Sequence, residues 1–157
     1  MAICKANELK AFLGRNQPIL GLDLGSRTIG LALSDVGYMV ASPLTTLARR
    51  KFSQDFAALE QVIVKYNVGA LVIGLPVEMD GREGAGAQSA RSFAAEVLKR
   101  RAMPIAFWDE RLSTAAVQRM LTDEADLSRK RRAEVVDKAA AAYILQGALE
   151  AMRNSPG

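Results

Sequence analysis

The 157-residue chain contains no histidine. That absence removes Ser-His-Asp and Cys-His nucleophilic sites, a histidine general base and every histidine-ligated metal centre. Its single cysteine, Cys4, has no partner for an internal disulfide and cannot build a cysteine-based zinc site, so it reads as an incidental thiol. No apolar run approaches the roughly 18 residues that cross a bilayer. Lys5, Glu8, Lys10 and Arg15 interrupt any signal-peptide core near the start, so a soluble, cytoplasmic protein is expected. What remains for chemistry is the carboxylate. Asp and Glu oxygens with water make hard-cation sites, which points to Mg2+ or Mn2+ rather than zinc or copper.

What is present suits one domain with a substantial core, since half of the residues are apolar. The net charge of +4 and the isoelectric point near 9.5 lean towards an anionic partner. The charge is gathered in three clusters, Arg49-Arg50-Lys51, Lys99-Arg100-Arg101 and Arg129-Lys130-Arg131-Arg132, each at an expected boundary between elements. A single such cluster is ordinarily a solvated loop; three in one small domain narrow the margin between that reading and an anionic partner.

The most informative stretch is Ile19 to Asp35, where one acid, Asp23, sits inside an apolar strand pattern. Two runs, Ile19–Leu24 and Ile29–Asp35, flank Gly25-Ser26-Arg27-Thr28 and read as an antiparallel hairpin. Alternation puts Leu20, Leu22 and Leu24 on one face and Ile19, Gly21 and Asp23 on the other. On the second strand Gly30, Ala32 and Ser34 share a face. If the small sides coincide, Asp23 overlooks a shallow floor, and a carboxylate partly removed from water there needs a cation or a donor network. A divalent metal would serve.

Before the hairpin, Ile3–Leu13 carries a weak amphipathic pattern that Gly14 and Pro18 break, giving a short helix or an arm. After it, Tyr38–Ser42 is expected as a third strand, stopped by Pro43. Ser53 should cap a helix running to Tyr66, with Asn67-Val68-Gly69 as its stop. Ala70–Gly74, apolar on both faces, reads as a buried parallel strand. Gly74 to Gly86 holds four glycines and alternating charge, the composition of a functional loop, but lacks the Gly-Lys-Ser/Thr ending of a nucleotide-binding loop. A helix from Gln88 to Arg101 and a strand from Ile105 to Trp108 follow, with neighbours Asp109 and Glu110 on opposite faces. Ser113 should cap Thr114–Leu121, and Thr122–Leu127 is an acid-rich connection. In the last helix, Ala133–Met152, a stripe of Asp137, Ala141, Ile144, Ala148 and Met152 is buried, and four alanines, Ala139 to Ala142, permit close approach to the sheet.

Three antiparallel strands followed by helix, strand, helix, strand and terminal helices is the order of a ribonuclease H-like domain. The expected class is α/β, with a mixed five-stranded sheet, antiparallel in its first three strands and then parallel, flanked by helices. The expected division is 1–17 as a helix or arm, 18–152 as the nuclease domain and 153–157 as a disordered tail. The blocks Leu22-Asp23-Leu24-Gly25 with Arg27-Thr28-Ile29-Gly30 and Ser34-Asp35, Gly74-Leu75-Pro76 with Asp80-Gly81, Asp109-Glu110-Arg111-Leu112-Ser113-Thr114 and Val136-Asp137-Lys138-Ala139-Ala140 together resemble the YqgF (RuvX) family. The resemblance covers Pro18 to Met152. It implies a nuclease of precursor 16S rRNA or a Holliday junction resolvase, with Asp23, Glu110 and Asp137 as the acidic triad holding divalent metals.

In that reading two Mg2+ (or Mn2+) ions about 4 Å apart drive phosphodiester hydrolysis. Asp23 bridges them, Glu110 and Asp137 each anchor one, and Arg27, Arg111 and Arg129, Lys130, Arg131 and Arg132 hold the substrate backbone. The sequence departs from the family pattern at Glu78, an acid where a polar amide is usual, and at Ser113, where threonine is more common. Glu78 stands open between a metal ligand and a charged loop residue. The acids also have plainer readings: Asp23 as an acid closing the hairpin, Glu110 as a partner of Arg111, Asp137 as a helix-start acid. Two other classes fit parts of the chain. Leu22-Asp23-Leu24-Gly25-Ser26 looks like the phosphate turn of actin-like and hexokinase-like ATPases, which need two such domains, and a non-catalytic nucleic-acid-binding module would keep the acids for structure. The expected partner is nucleic acid, precursor rRNA or branched DNA, bound by a monomer or homodimer.

Overall fold

The computed structural model describes residues 3–78, 80–110 and 129–154, and for 129–137 the backbone alone. The strands are β1 (Ile3–Cys4), β2 (Ile19–Leu24), β3 (Thr28–Ser34), β4 (Ala41–Ala48), β5 (Ala70–Leu75) and β6 (Ile105–Asp109). The helices are α1 (Phe52–Tyr66), α2 (Ala85–Arg100) and α3 (Arg129–Arg153), with a short 3-10 helix at Ala6–Phe12. The strands form one mixed sheet in the order β1-β6-β5-β2-β3-β4. β2, β3 and β4 are antiparallel, whereas β5 joins β2 in parallel and β6 and β1 continue in that sense.

The hairpin pairs as its small residues require. Gly21 faces Ala32 and Asp23 faces Gly30 across β2 and β3, so the two small sides do coincide. Period-2 alternation then divides the apolar residues into two cores. On one face Leu20, Leu22, Ile29, Leu31, Leu71 and Ile73 pack against Phe56, Leu59 and Ile63 of α1 and Phe93 and Val97 of α2. On the other, Ile19, Ala32, Ala70, Val72 and Ala106 pack against Ala141, Ile144, Leu145, Ala148 and Leu149 of α3, with Leu9 of the 3-10 helix closing one end. The Asp23 side of the sheet is the α3 side.

Small residues bring α3 close. A β-carbon on Gly21 would stand 2.8 Å from Leu145 Cβ and 3.0 Å from the Ala141 carbonyl oxygen, the latter a backbone atom that cannot swing aside. Gly21→Ala should therefore destabilise the fold by about 1–3 kcal/mol, read as a fall in Tm of a few degrees. An unchanged Tm would mean that α3 is not seated on β2 at this point. The helix begins at the Asp23 end of the sheet and finishes at the opposite end, where Arg153 donates to the carbonyls of Tyr38 and Met39.

The elements differ from expectation in five places. β4 runs Ala41–Ala48 and includes Pro43, rather than ending at it. The strand lies at the sheet edge, where a missing N–H costs no ladder bond, and the pairing slips between Leu31 and Ala32, which accommodates the proline. Tyr38, expected in the strand, has φ 59° in a loop held by Asp35, whose carboxylate accepts the N–H groups of Met39 and Val40 at 2.8 and 2.9 Å. Those bonds hold the Asp35 carboxyl below the usual carboxylate range. The sheet also has a sixth strand, because Ile3–Cys4 pairs with Ile105–Ala106. Finally, α1 starts at Phe52 with Lys51 rather than Ser53 at its N-cap, and the buried Asp55 carboxylate, one turn in, accepts the Arg50 N–H at 2.8 Å. Its end is as read, with Asn67 in the left-handed conformation. α2 starts at Ala85, three residues before the expected Gln88.

Candidate active site

Across the ends of the central strands runs a row of residues set by register. Asp23 on β2 pairs with Gly30 on β3. On its other side β2 and β5 align Gly21 with Val72 and Leu22 with Ile73, so one step further Gly74 lies beside Asp23. Gly74 in turn pairs with Trp108 on β6. The carboxylate thus stands between two glycines, on a floor without side chains. Beyond Trp108 the chain leaves β6 and returns Glu110 over that floor, where its Oε1 comes within 2.6 Å of the point a β-carbon on Gly74 would occupy. Asp109 takes the opposite face, opposite Leu75.

Glu110 and Asp23 meet in a side-chain hydrogen bond. Burial is the main cause that pushes the Glu110 carboxyl above its usual range; the bond with Asp23 works in the opposite sense, and the negative charge of Asp109 adds to the rise. A half-buried pair of acids whose combined charge the protein resists is what a cation would relieve. The donor set is carboxylate oxygen, which suits a hard divalent ion.

The third predicted acid, Asp137, lies on α3 one turn before Ala141, whose carbonyl reaches towards Gly21; its side chain is outside the described residues. Among the described residues no group of three potential metal-ligating side chains occurs. Arg111, with the expected Ser113 cap, the Thr114–Leu121 helix and the Thr122–Leu127 connection, also lies outside the described residues. The backbone of Arg129 to Arg132 forms the first turn of α3, which contains no acid. Glu78 is held in a turn, its N–H donating to the Arg82 carbonyl at 2.8 Å. Its Oε1 lies 3.0 Å from where a Gly84 β-carbon would be, at the start of α2, the helix of the other sheet face.

The cationic clusters separate by their partners. Lys99 and Arg100 share Glu96 at 2.9 and 3.1 Å, and Arg101 reaches Glu60 at 3.5 Å, so each cation of that cluster has an acid partner and the helix end is largely neutralised. Arg27 is exposed in the turn between β2 and β3. Sequence reasoning missed Gly74 as a site residue, although a glycine ending an otherwise unbroken apolar strand is a signal of close approach. It also missed Arg49, whose guanidinium donates to the Gly25 carbonyl at 2.9 Å and so braces the turn next to Asp23.

A mixed sheet of this order, with helices on both faces and acids at the ends of its central strands, is the ribonuclease H-like fold of the resolvase nucleases. Two solved structures share it across most of the chain: RuvC of T. thermophilus in complex with a Holliday junction substrate, at TM-score 0.56 and 15% identity over 88% of this chain and 98% of that one, and the fowlpox virus Holliday junction resolvase, at TM-score 0.52 and 9% identity over 87% and 99%. Within that class the chain belongs to the RuvX family, described as Holliday junction resolvase, whose sequence model matches residues 17–151. Its relatives include a protein of Paramagnetospirillum magneticum, 63% identical over 96% of both chains, and one of Phenylobacterium zucineum, 54% identical over 98% of this chain and 99% of that one, each described as "Putative pre-16S rRNA nuclease". The chain is a nuclease, and its partner is nucleic acid. Among the described residues no helix is long and apolar enough to cross a membrane.

Proposed function

We propose that the protein hydrolyses a phosphodiester bond of precursor 16S rRNA in 5′-end processing, in the cytoplasm, using Asp23, Glu110 and Asp137. The observation that carries the reading is the Asp23–Glu110 pair on its glycine floor, two carboxyl groups brought together at the ends of the central strands with burial pushing that of Glu110 up. The choice of rRNA is supported by the description of the relatives, more than half identical to this chain over nearly its whole length. Mg2+ or Mn2+ held by the three acids would supply an activated water and stabilise the departing oxygen. Asp23 stands between Gly30 and Gly74, so no side chain of its two neighbouring strands separates it from Glu110. Glu110 covers one side of it, and Asp137, one turn before Ala141 on α3, would supply the third carboxylate. Arg27, Arg111 and Arg129 to Arg132 hold the backbone of the substrate, so that binding is set by charge more than by sequence.

The family description favours a second reading, resolution of a four-way DNA junction. A junction is two-fold symmetric and calls for two sites acting together, whereas trimming one RNA end needs one. Labelled precursor rRNA and a labelled junction, incubated side by side with Mg2+, Mn2+ or chelator, separate the two. Cleavage of the rRNA at its 5′ side in either metal, lost in chelator, is the expected result. Cleavage of the junction alone, with dimers in sedimentation, would replace the rRNA reading, and cleavage that persists in chelator would remove the metal.

A further inference from the structure

Beyond the end of β4 the ladder continues by one pair. Thr28 faces Ala48, and the next N–H, that of Arg49, donates to the Arg27 carbonyl at 2.8 Å, so two arginines stand opposite each other across the strands. Like charges directly opposite are unfavourable unless something anionic lies between or over them. Arg50 and Lys51 follow, both exposed. Among the described residues no carboxylate is paired with any of these four side chains, in contrast to Lys99, Arg100 and Arg101, every one of which has an acid. The acid nearest along the chain to Arg49, Arg50 and Lys51, Asp55, is buried and is bonded to the Arg50 backbone, and from Val36 to Gln54 the sequence contains none. Arg49 is further held by its bond to the Gly25 carbonyl, which fixes the corner before any ligand arrives.

We infer that Arg27, Arg49, Arg50 and Lys51 form a second phosphate-binding corner, which grips the sugar-phosphate backbone on the side of the site away from β6. This deepens the nuclease reading and rests on it. Arg27 is three residues from Gly30, the partner of Asp23, an odd step that turns it to the α1 face of the sheet, so the corner lies about 10 Å from the carboxylate, round the hairpin end of the strands. That distance spans about three nucleotides at the rise of one strand in a duplex. With the α3 cations on the other side, the substrate is held at two places flanking the bond to be cut. Contacts to phosphate alone do not distinguish RNA from DNA.

The test uses the full chain, in chelator, with labelled single-stranded RNA and DNA of one sequence, and reads affinity against salt. Arg50→Gln/Lys51→Gln should weaken binding about tenfold near 0.1 M salt and reduce the slope of log affinity against log salt by about 1.4, at about 0.7 per lost contact, for both polymers. Lys99→Gln/Arg101→Gln, which removes paired charges, should leave the slope as it is. Arg49→Gln, with its Tm measured alongside, should also lower the slope and, through the lost bond to Gly25, lower the Tm. A slope unchanged in Arg50→Gln/Lys51→Gln, an equal fall in the control, or a loss confined to one polymer would overturn the corner. Cleavage of precursor rRNA by the wild-type chain, measured separately, shows whether the nuclease reading stands when the corner does not.

Discussion

Asp23→Asn is expected to lower phosphodiester cleavage about a thousandfold or more while the protein stays folded and melts no lower than the wild type. The substitution keeps the shape of the side chain and removes a charge that the site is built to place beside a second acid. In the metal-free protein that charge works against the fold. The Glu110 carboxyl is pushed up, chiefly by burial, so the folded state holds a proton that the unfolded chain releases. The stability linked to it is complete below the ordinary carboxylate range and is lost as pH rises through the raised value. Asp23→Asn takes one negative charge from the same half-buried floor, so in chelator it should melt no lower than the wild type across that window. Mg2+ should act in the opposite order. At about a hundred times its dissociation constant it adds about 2.7 kcal/mol to a protein that binds it, roughly 5–10 °C in Tm for a chain of this size. The wild type should show that rise and Asp23→Asn should not. A variant that cleaves at the wild-type rate would make Asp23 a structural acid and the mechanism wrong.

The second large effect is expected at Gly74, which carries no chemistry of its own. A β-carbon there would stand 2.5 Å from Ile144 Cδ1 and 2.6 Å from Glu110 Oε1. Gly74→Ala therefore pushes aside the Ile144 δ-methyl and displaces the carboxyl, and a misplacement of about 1 Å in a catalytic group can cost a hundredfold in rate. Cleavage should fall by about that factor and stability by about 1–3 kcal/mol. The two losses can be separated. Gly74→Ala/Ile144→Val relieves the apolar clash and should regain stability without regaining activity, because Glu110 remains displaced. Recovery of both together would mean that Gly74 serves packing alone.

Much of the site was legible because strands alternate and glycines are conspicuous. Asp23, Gly21, Gly30 and Ala32 could be put on one face from the hairpin pattern, and the pairing found is the one that brings their small sides together. The meeting of Glu110 with Gly74 was not legible, since it depends on the parallel register of β5 and β6, which α2 separates in the chain. Pro43 was misread because its rule applies to an interior strand and β4 lies at the edge. Ile3–Cys4 is too short to carry a period at all. The basic clusters show a different limit. Their charge is written in the sequence, but whether a cation is matched by an acid depends on the fold, as Arg101 with Glu60, 41 residues apart, makes plain.

The sheet has two open sides, and neither invites extension. One is finished by a strand of two residues, the other by a strand carrying Pro43 and a slip in its pairing. Short, kinked or proline-bearing edges resist the strand-to-strand stacking through which copies of a protein merge or aggregate. Two molecules drawn to one symmetric nucleic acid would accordingly meet through their helices and loops. The sheet that carries Asp23 stays a unit of one chain, and its register, on which the carboxyl pair depends, is not exposed to exchange with a neighbour.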